Sequence, residues 1–247
     1  MNPYISSTDG ERMQSGPVED YLKAIYELEE KAGIARTTLL ADKLGIKAGT
    51  VSEMIKRLSK ARAPLIIYKH HQGVRLTPKG RLAALSVIRR HRLLETFLHR
   101  SLDLSWNEVH AEAEVLEHHL SDRVADAMDR HLGYPSFDPH GEPIPRSDGT
   151  IIERSSRRLS EMEEKRTFRI VRVVPESDEL LIYLESLAIG IGSSGAVVSR
   201  APLDGPITVR MKIGLQTNEF SLARHVAELI YVESTTTRKA SGLDFRP

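Results

Sequence analysis

The sequence predicts a mainly α-helical protein that closes with a small β domain, and three patterns carry that expectation. Apolar residues recur at helical spacing from Val18 to about His131. Tight Gly-containing turns divide the early helices into short pieces. From Thr167 onward the helical period gives way to short runs rich in Val and Ile, separated by Gly, Pro, Asp or Asn, which favours a small β-barrel.

The residues before Pro17 are polar, rich in Ser and Gly, and read as a flexible tail. In VEDYLKAIYELEEKAG, the residues Val18, Tyr21, Leu22, Ile25, Tyr26 and Leu28 share one side of a helix that stops at Gly33. Thr37 and Thr38 are placed to cap the short helix TLLADKLG, which Gly45 ends, and TVSEMIKRLSKA forms a third helix after the turn at Ile46 to Gly49. Two short helices around such a turn, the second of them basic, make a helix-turn-helix. Pro64 closes it. The following LIIYKHHQGVRLT reads as two strands joined at His70, His71, Gln72 and Gly73, a hairpin wing carrying Lys69 and Arg75. A winged helix-turn-helix is therefore expected over about residues 18–80.

Thr77 and Pro78 open a long helix that runs to about Arg100, with Thr77 as cap and Pro78 in the first turn. A break at Leu104 to Asn107 separates it from a second helix that reaches Leu120. A further helix, LSDRVADAMDRHLG, ends at Gly133, and FDPHGEPIPRSDG is an ordered, turn-rich connection. The polar stretch from Glu153 to Lys165 reads as a link. Strands are then expected at TFRIVRVV, ELLIYLESL, GAVVSRAP, ITVRMKI and ELIYVES, with SLARHVAELI a possible helical turn feeding the last of them.

The chain has 247 residues, enough for two or three small domains, with 40% hydrophobic and 28% charged residues, as in ordinary globular proteins. It has no cysteine, which excludes disulfides and thiolate metal sites; any metal must be held by nitrogen and oxygen. No apolar run approaches the roughly 18 residues of a membrane span, and the start lacks a signal-peptide core, so a cytoplasmic protein is expected. The net charge is only +1, but Lys47, Lys56, Arg57, Lys60, Arg62, Lys69, Arg75, Lys79 and Arg81 face Glu53 alone across the helix-turn-helix and wing. That excess suits a polyanion. Lys47, Thr50, Ser52 and Glu53 stand in the N-terminal turn of the third helix, from which a helix-turn-helix reads base edges, and Lys56, Arg57, Lys69 and Arg75 are placed for phosphates. The alternative is a solvated basic face.

The stretch from Arg89 to Leu120 holds five of the ten histidines and five glutamates. His91 and Glu95 lie four apart, with His99 further down the same face; His110, Glu114, Glu117 and His118 share a face of the second helix. Imidazoles mixed with carboxylates on helix faces are metal-ligand chemistry of the kind helical bundles build. Two solvated amphipathic helices are the alternative. His99 and His119 read as surface or packing residues, and His140 as a turn residue.

In order and spacing, EDYLKAIYELEE, TVSEMIKRL, LTPKG, RHRLLETFL, EVHAEAEVLEHHLSD and PHGEPIP resemble the diphtheria-toxin-repressor family of iron- and manganese-dependent transcriptional regulators. The C-terminal region looks like the SH3-like, FeoA-type domain of its longer members. The resemblance implies a tail over 1–16, a winged helix-turn-helix DNA-binding domain over 17–82, a helical metal-binding and dimerisation domain over 83–150, a linker over 151–165, an SH3-like domain over 166–236 and a tail over 237–247. It implies a primary metal site at Asp20, Glu114, Glu117 and His118 and an ancillary site at His91, Glu95 and His110. Oxygen ligands at Asp20 and Glu114, where iron-sensing members place Met and Cys, resemble the manganese-sensing branch, so Mn(II) is the expected cofactor and Fe(II) the second. Lys23 stands where some manganese members carry a second carboxylate. The loop VPESDEL is shortened, leaving Glu176, Asp178 or Glu179 as candidates for a further ligand.

The function implied is a repressor of manganese or iron homeostasis genes that binds operator DNA as a homodimer, with Leu93, Leu94, Phe97, Trp106 and Leu116 as candidate dimer-surface residues. It is not expected to be an enzyme. Two rivals remain: a winged-helix regulator of an organic ligand, and a metalloenzyme, for which no HExxH signature is present.

Overall fold

The computed structural model describes residues 16–69 and 72–235. Both terminal tails, as well as His70 and His71, lie outside the described residues. The chain forms two compact units: one runs to residue 103 and takes 109–136 and 144–152, and the other takes 104–108, 137–143 and everything from 153 on.

The first unit opens with α1 (Gly16–Ala32), α2 (Thr37–Leu44) and α3 (Ala48–Ser59). Tyr21, Leu22 and Ile25 of α1 share a core with Leu40, Val51 and Ile55. The expected Thr cap of α2 is displaced by one residue: Arg36 holds the N-cap place without a side-chain bond, and Thr37 already belongs to the first turn. Gly45, at φ 64°, ends α2 by turning its N–H onto the Ala41 and Asp42 carbonyls, a left-handed stop that favours glycine. Helix α3 ends at Ser59, before Pro64 is reached. Strands β1 (Ile66–Lys69) and β2 (Gly73–Leu76) form the antiparallel wing, with Ile66 opposite Leu76 and Lys69 opposite Gly73.

Helix α4 (Pro78–Leu102) starts as its sequence requires. The Thr77 hydroxyl accepts from the Gly80 N–H at 3.1 Å and donates to the Pro64 carbonyl at 3.0 Å. A Cβ on Gly80 would lie 1.8 Å from the Leu65 carbonyl oxygen, so LTPKG needs its glycine for this close approach. After α4, helix α5 (Val109–Leu116) is shorter than expected and gives way to a turn that holds Glu117 and His118. Ser121 caps α6 (Asp122–His131). Leu93 packs with Ala125 and Ile144, and Leu94 with Ala113 and Met128. Leu93 and Leu94, expected on a dimer surface, are therefore already buried within one chain; Leu82, Leu102, Val115, Leu116 and Val124 are the large apolar residues these helices expose.

The second unit is a six-stranded antiparallel sheet in the order β3-β8-β4-β5-β6-β7. Its strands are β3 (Arg157–Arg158), β4 (Thr167–Val173), β5 (Ser194–Arg200), β6 (Ile207–Ile213), β7 (Gln216–Leu222) and β8 (Ile230–Ser234). Part of the expected linker belongs here: β3 and a 3-10 turn (Leu159–Glu161) bury Leu159 and Met162 in the core of this unit. ELLIYLESL is a helix, α7 (Asp178–Ser186), not a strand. Ser177 caps it, and Leu180, Leu181 and Leu184 are buried at helical spacing while Ile182 and Tyr183 stay exposed. The expected helical turn before β8 is α8 (Arg224–Leu229). Trp106, also expected on the dimer surface, is instead buried in this core, with its indole N–H on the Pro139 carbonyl at 2.9 Å and its ring stacked on His140.

Candidate functional site

Three stretches of the first unit bring carboxylates and imidazoles together. Helix α1 supplies Glu19, Asp20 and Lys23 within one turn, α4 supplies Arg90, His91 and Glu95, and α5 with its following turn supplies His110, Glu114, Glu117 and His118. Because α5 ends at Leu116, Glu117 and His118 leave the face shared by His110 and Glu114: Glu117 is buried, His118 is half-buried, and both look toward α1.

Asp20, Glu117 and His118 form one group whose donor atoms all lie within 4.8 Å of one another. His118 Nε2 is 2.9 Å from Asp20 and 3.6 Å from Glu117, and its Nδ1 is 2.7 Å from Glu19. Glu19 in turn pairs with Arg90 at 2.9 Å, and Arg90 Nε donates to the Glu117 carbonyl at 2.8 Å. His91, Glu95 and His110 form a second group: His91 Nε2 lies 3.0 Å from Glu95 and 3.1 Å from His110, and His110 Nδ1 lies 3.1 Å from Glu95. The other nitrogen of His91 reaches Glu117 at 2.5 Å, so this one imidazole joins the two groups. Glu114 stands at the rim, exposed, 3.7 Å from Lys23 and 3.6 Å from His110.

Electrostatics follow from this crowding. Burial would lower the pKa of His91, but its hydrogen bonds to Glu117 and Glu95 outweigh that and raise it to about 9. That shift favours the imidazolium form, in which His91 can donate to both carboxylates. Burial would likewise raise Glu117, yet His91 and Lys23 hold it below the usual carboxylate range. Asp20 is raised by burial, which outweighs the opposing pull of His118.

The donor set fits a divalent cation of hard or borderline character. Both groups combine carboxylate oxygen with imidazole nitrogen, and sulfur is absent, which suits Mn²⁺ or Fe²⁺. Adjacent ligands around an octahedral ion bonded at about 2.1 Å stand about 3 Å apart, and the Asp20–His118 spacing is of that size. Sequence reasoning missed Glu19, Arg90 and the placement of the Lys23 ammonium. Signals for them existed: Glu19 and Lys23 lie four apart, Lys23 lies three after Asp20, and Arg90 adjoins His91. His119 is exposed and takes no part, and His140 is a turn residue as expected, though fully buried in the second unit.

On α3 and the wing, Lys47, Thr50, Glu53, Lys56, Arg57, Lys69 and Arg75 are all exposed. Ser52 is half-buried, and its hydroxyl donates to the Ala48 carbonyl at 2.9 Å, which occupies the donor expected to reach DNA. Val51, Ile55 and Leu58 hold the other face of α3 in the core, so the polar face is presented outward on a fixed element.

Comparisons with known proteins agree with this layout. Residues 13–74 match the iron dependent repressor N-terminal DNA binding domain, 77–146 the iron dependent repressor metal binding and dimerisation domain, and 157–234 the FeoA domain. The diphtheria toxin repressor of Corynebacterium diphtheriae is 32% identical over 202 residues, covering 77% of this chain and 87% of that protein. The chain belongs to the diphtheria-toxin-repressor family. This repressor-family chain is also 36% identical over 120 residues to the transcriptional regulator MntR of Geobacillus kaustophilus, covering 47% of the chain and 83% of MntR. It is 38% identical to the iron-dependent repressor IdeR of Mycobacterium tuberculosis, of which it spans about half the length (54%), over 51% of the chain. A manganese-dependent transcriptional repressor in complex with manganese superimposes with a TM-score of 0.79 at 38% identity, over 88% of this chain and 99% of that one. The manganese regulator SloR gives 0.69 at 35%, over 88% and 98%. Among the described residues no helix is long and apolar enough to cross a membrane.

Proposed function

We propose that this chain is a cytoplasmic, metal-activated repressor that binds operator DNA as a homodimer and responds to Mn²⁺ first and Fe²⁺ second. The observation that carries this reading is the convergence of Asp20, from the helix beneath the DNA-reading head, with Glu117 and His118 from the turn after α5. The primary ligands are Asp20, Glu117 and His118, with Glu114 joining from the rim; His91, Glu95 and His110 form the ancillary set. When bound, the ion supplies positive charge that offsets the carboxylates and joins α1 to the α5 turn.

The chain's own residues prepare that step. Glu19 accepts from His118 Nδ1 and so orients the ring with Nε2 facing Asp20. Arg90 braces both Glu19 and the Glu117 backbone. His91 must give up its proton before its nitrogen can act as a ligand, so metal loading releases protons. Fixing α1 fixes α3, and in a two-fold dimer this sets the separation of two recognition helices, which must match half-sites roughly 34 Å apart. Leu102, Val115, Leu116 and Val124 are the exposed apolar residues suited to the dimer contact. Nothing in this scheme requires turnover of a substrate.

The test is fluorescence anisotropy of metal-stripped protein on genomic operator fragments at fixed salt, titrated with Mn²⁺, anaerobic Fe²⁺ or Zn²⁺. Mn²⁺ raises affinity tenfold or more, about 1.4 kcal/mol, at lower concentration than Fe²⁺. Metal-independent affinity that an organic effector modulates would refute the reading.

A further inference from the structure

The Lys23 ammonium is the one basic side chain that reaches both carboxylate oxygens of Glu117 among the described contacts, at 3.1 and 3.0 Å. It also lies 3.2 Å from His91 Nδ1 and 3.7 Å from Glu114. Its side chain is only 13% exposed. Glu117, nearly fully buried, has one of these same oxygens 3.6 Å from His118 Nε2, within the group that also holds Asp20. The ammonium and a divalent ion in that group would therefore compete for the same carboxylate, and at such separations two cations repel strongly.

We propose that Lys23 is the resident cation of the metal-free site. It satisfies Glu117 while no ion is bound and is displaced when one enters, so it sets the metal concentration at which the protein switches. The inference rests on the reading of Asp20, Glu117 and His118 as metal ligands and adds the device that tunes them. A carboxylate buried without a partner is costly, so in the metal-free state the ammonium stabilises the fold around Glu117. Lysine suits the task because its charge sits on a flexible four-carbon stem that can swing to solvent without moving α1. His91 Nδ1 also approaches Glu117 at 2.5 Å, so the carboxylate keeps a partner when the ammonium leaves, which keeps the placeholder displaceable. Lys23 also denies α1 a second ligand: where a carboxylate one turn after Asp20 would add negative charge, this chain adds positive charge.

The experiment is isothermal titration calorimetry of Mn²⁺ into metal-stripped full-length wild type, Lys23→Gln, Lys23→Met and Glu117→Gln, beside thermal melts of each without metal. Gln keeps an amide that can donate to Glu117, so one variant preserves a neutral hydrogen bond if Met proves unstable. The expected result is that both Lys23 variants melt lower than wild type without metal, yet bind Mn²⁺ roughly 10- to 100-fold more tightly, the range that displacing one charge-assisted hydrogen bond commands. Unchanged or weaker Mn²⁺ binding by both variants, with wild-type binding intact and Glu117→Gln defective, overturns the role of Lys23 alone. Wild-type binding by Glu117→Gln overturns the underlying assignment of the site and this inference with it.

Discussion

Replacing Glu19 by Ala tests how the site is prepared, because Glu19 is not expected to touch the metal. Its carboxylate accepts from His118 at 2.7 Å and pairs with Arg90 at 2.9 Å. Arg90 is only 9% exposed at its side chain, and Glu19 20%, so both contacts are shielded from water. A hydrogen bond to a charged group contributes about 1.5–3 kcal/mol, and Arg90 keeps the Glu117 carbonyl and Ser86 as partners after the substitution. The metal-free protein should therefore lose about 1.5–2 kcal/mol, at the low end of that range. The larger effect falls on metal binding. Without Glu19 the His118 ring is free to take the other tautomer and to rotate, and loss of such an outer partner weakens metal affinity roughly 10- to 100-fold. Glu19→Gln, whose amide oxygen can still accept from Nδ1, should fall between Ala and wild type. Urea denaturation reads the stability, and calorimetric titration with Mn²⁺ reads the affinity. Mn²⁺ affinity within twofold of wild type in Glu19→Ala would refute the reasoning.

Three further outcomes are expected. The pKa of His91 is raised from 6.5 to about 9 in the folded state, so the stability it lends the metal-free protein is complete below about pH 6.5 and is lost as pH rises through about 9; urea midpoints of metal-free protein should fall across that window, and a flat profile there would contradict the assignment. Gly80→Ala should destabilise by more than about 2 kcal/mol, because the new methyl meets backbone rather than a movable side chain; a melting temperature within a degree or two of wild type would show that α4 can shift away from Leu65. Arg57→Ala and Lys69→Ala should each weaken operator binding about equally across sequences and lower the log–log salt slope by about one, measured by anisotropy at several salt concentrations; an unchanged slope would remove that residue from the phosphate contacts.

Much of this architecture was legible because its signals are local. Pro78 after Thr77, Gly45 after a helical run, and the Val/Ile runs of β6 and β8 each name their own element. The failures have local causes too. ELLIYLESL has the composition of a strand, but Ser177 caps it and its buried leucines keep helical spacing, so composition misled where period would not have. β7 went unread because QTNEFSL is polar and lies at the edge of the sheet, where pairing with β6 rather than an apolar pattern defines it. In the site, the ligand-bearing residue types could be named from their order, but the early end of α5 could not. That end moves Glu117 inward and leaves Glu114 exposed, against the reading of one continuous face. The placements of Lys23, Glu19 and Arg90 depend on how α1 packs on α4, a tertiary fact that no single stretch carries.

The central claim is that Asp20 joins Glu117 and His118 through one ion and that this junction switches DNA binding. It is tested most directly by operator affinity of Asp20→Ala beside wild type, with and without Mn²⁺, at one salt concentration and with far-UV circular dichroism confirming that the variant is folded. The account predicts a gain of tenfold or more for wild type and none for the variant. An equal gain in the folded variant would contradict it.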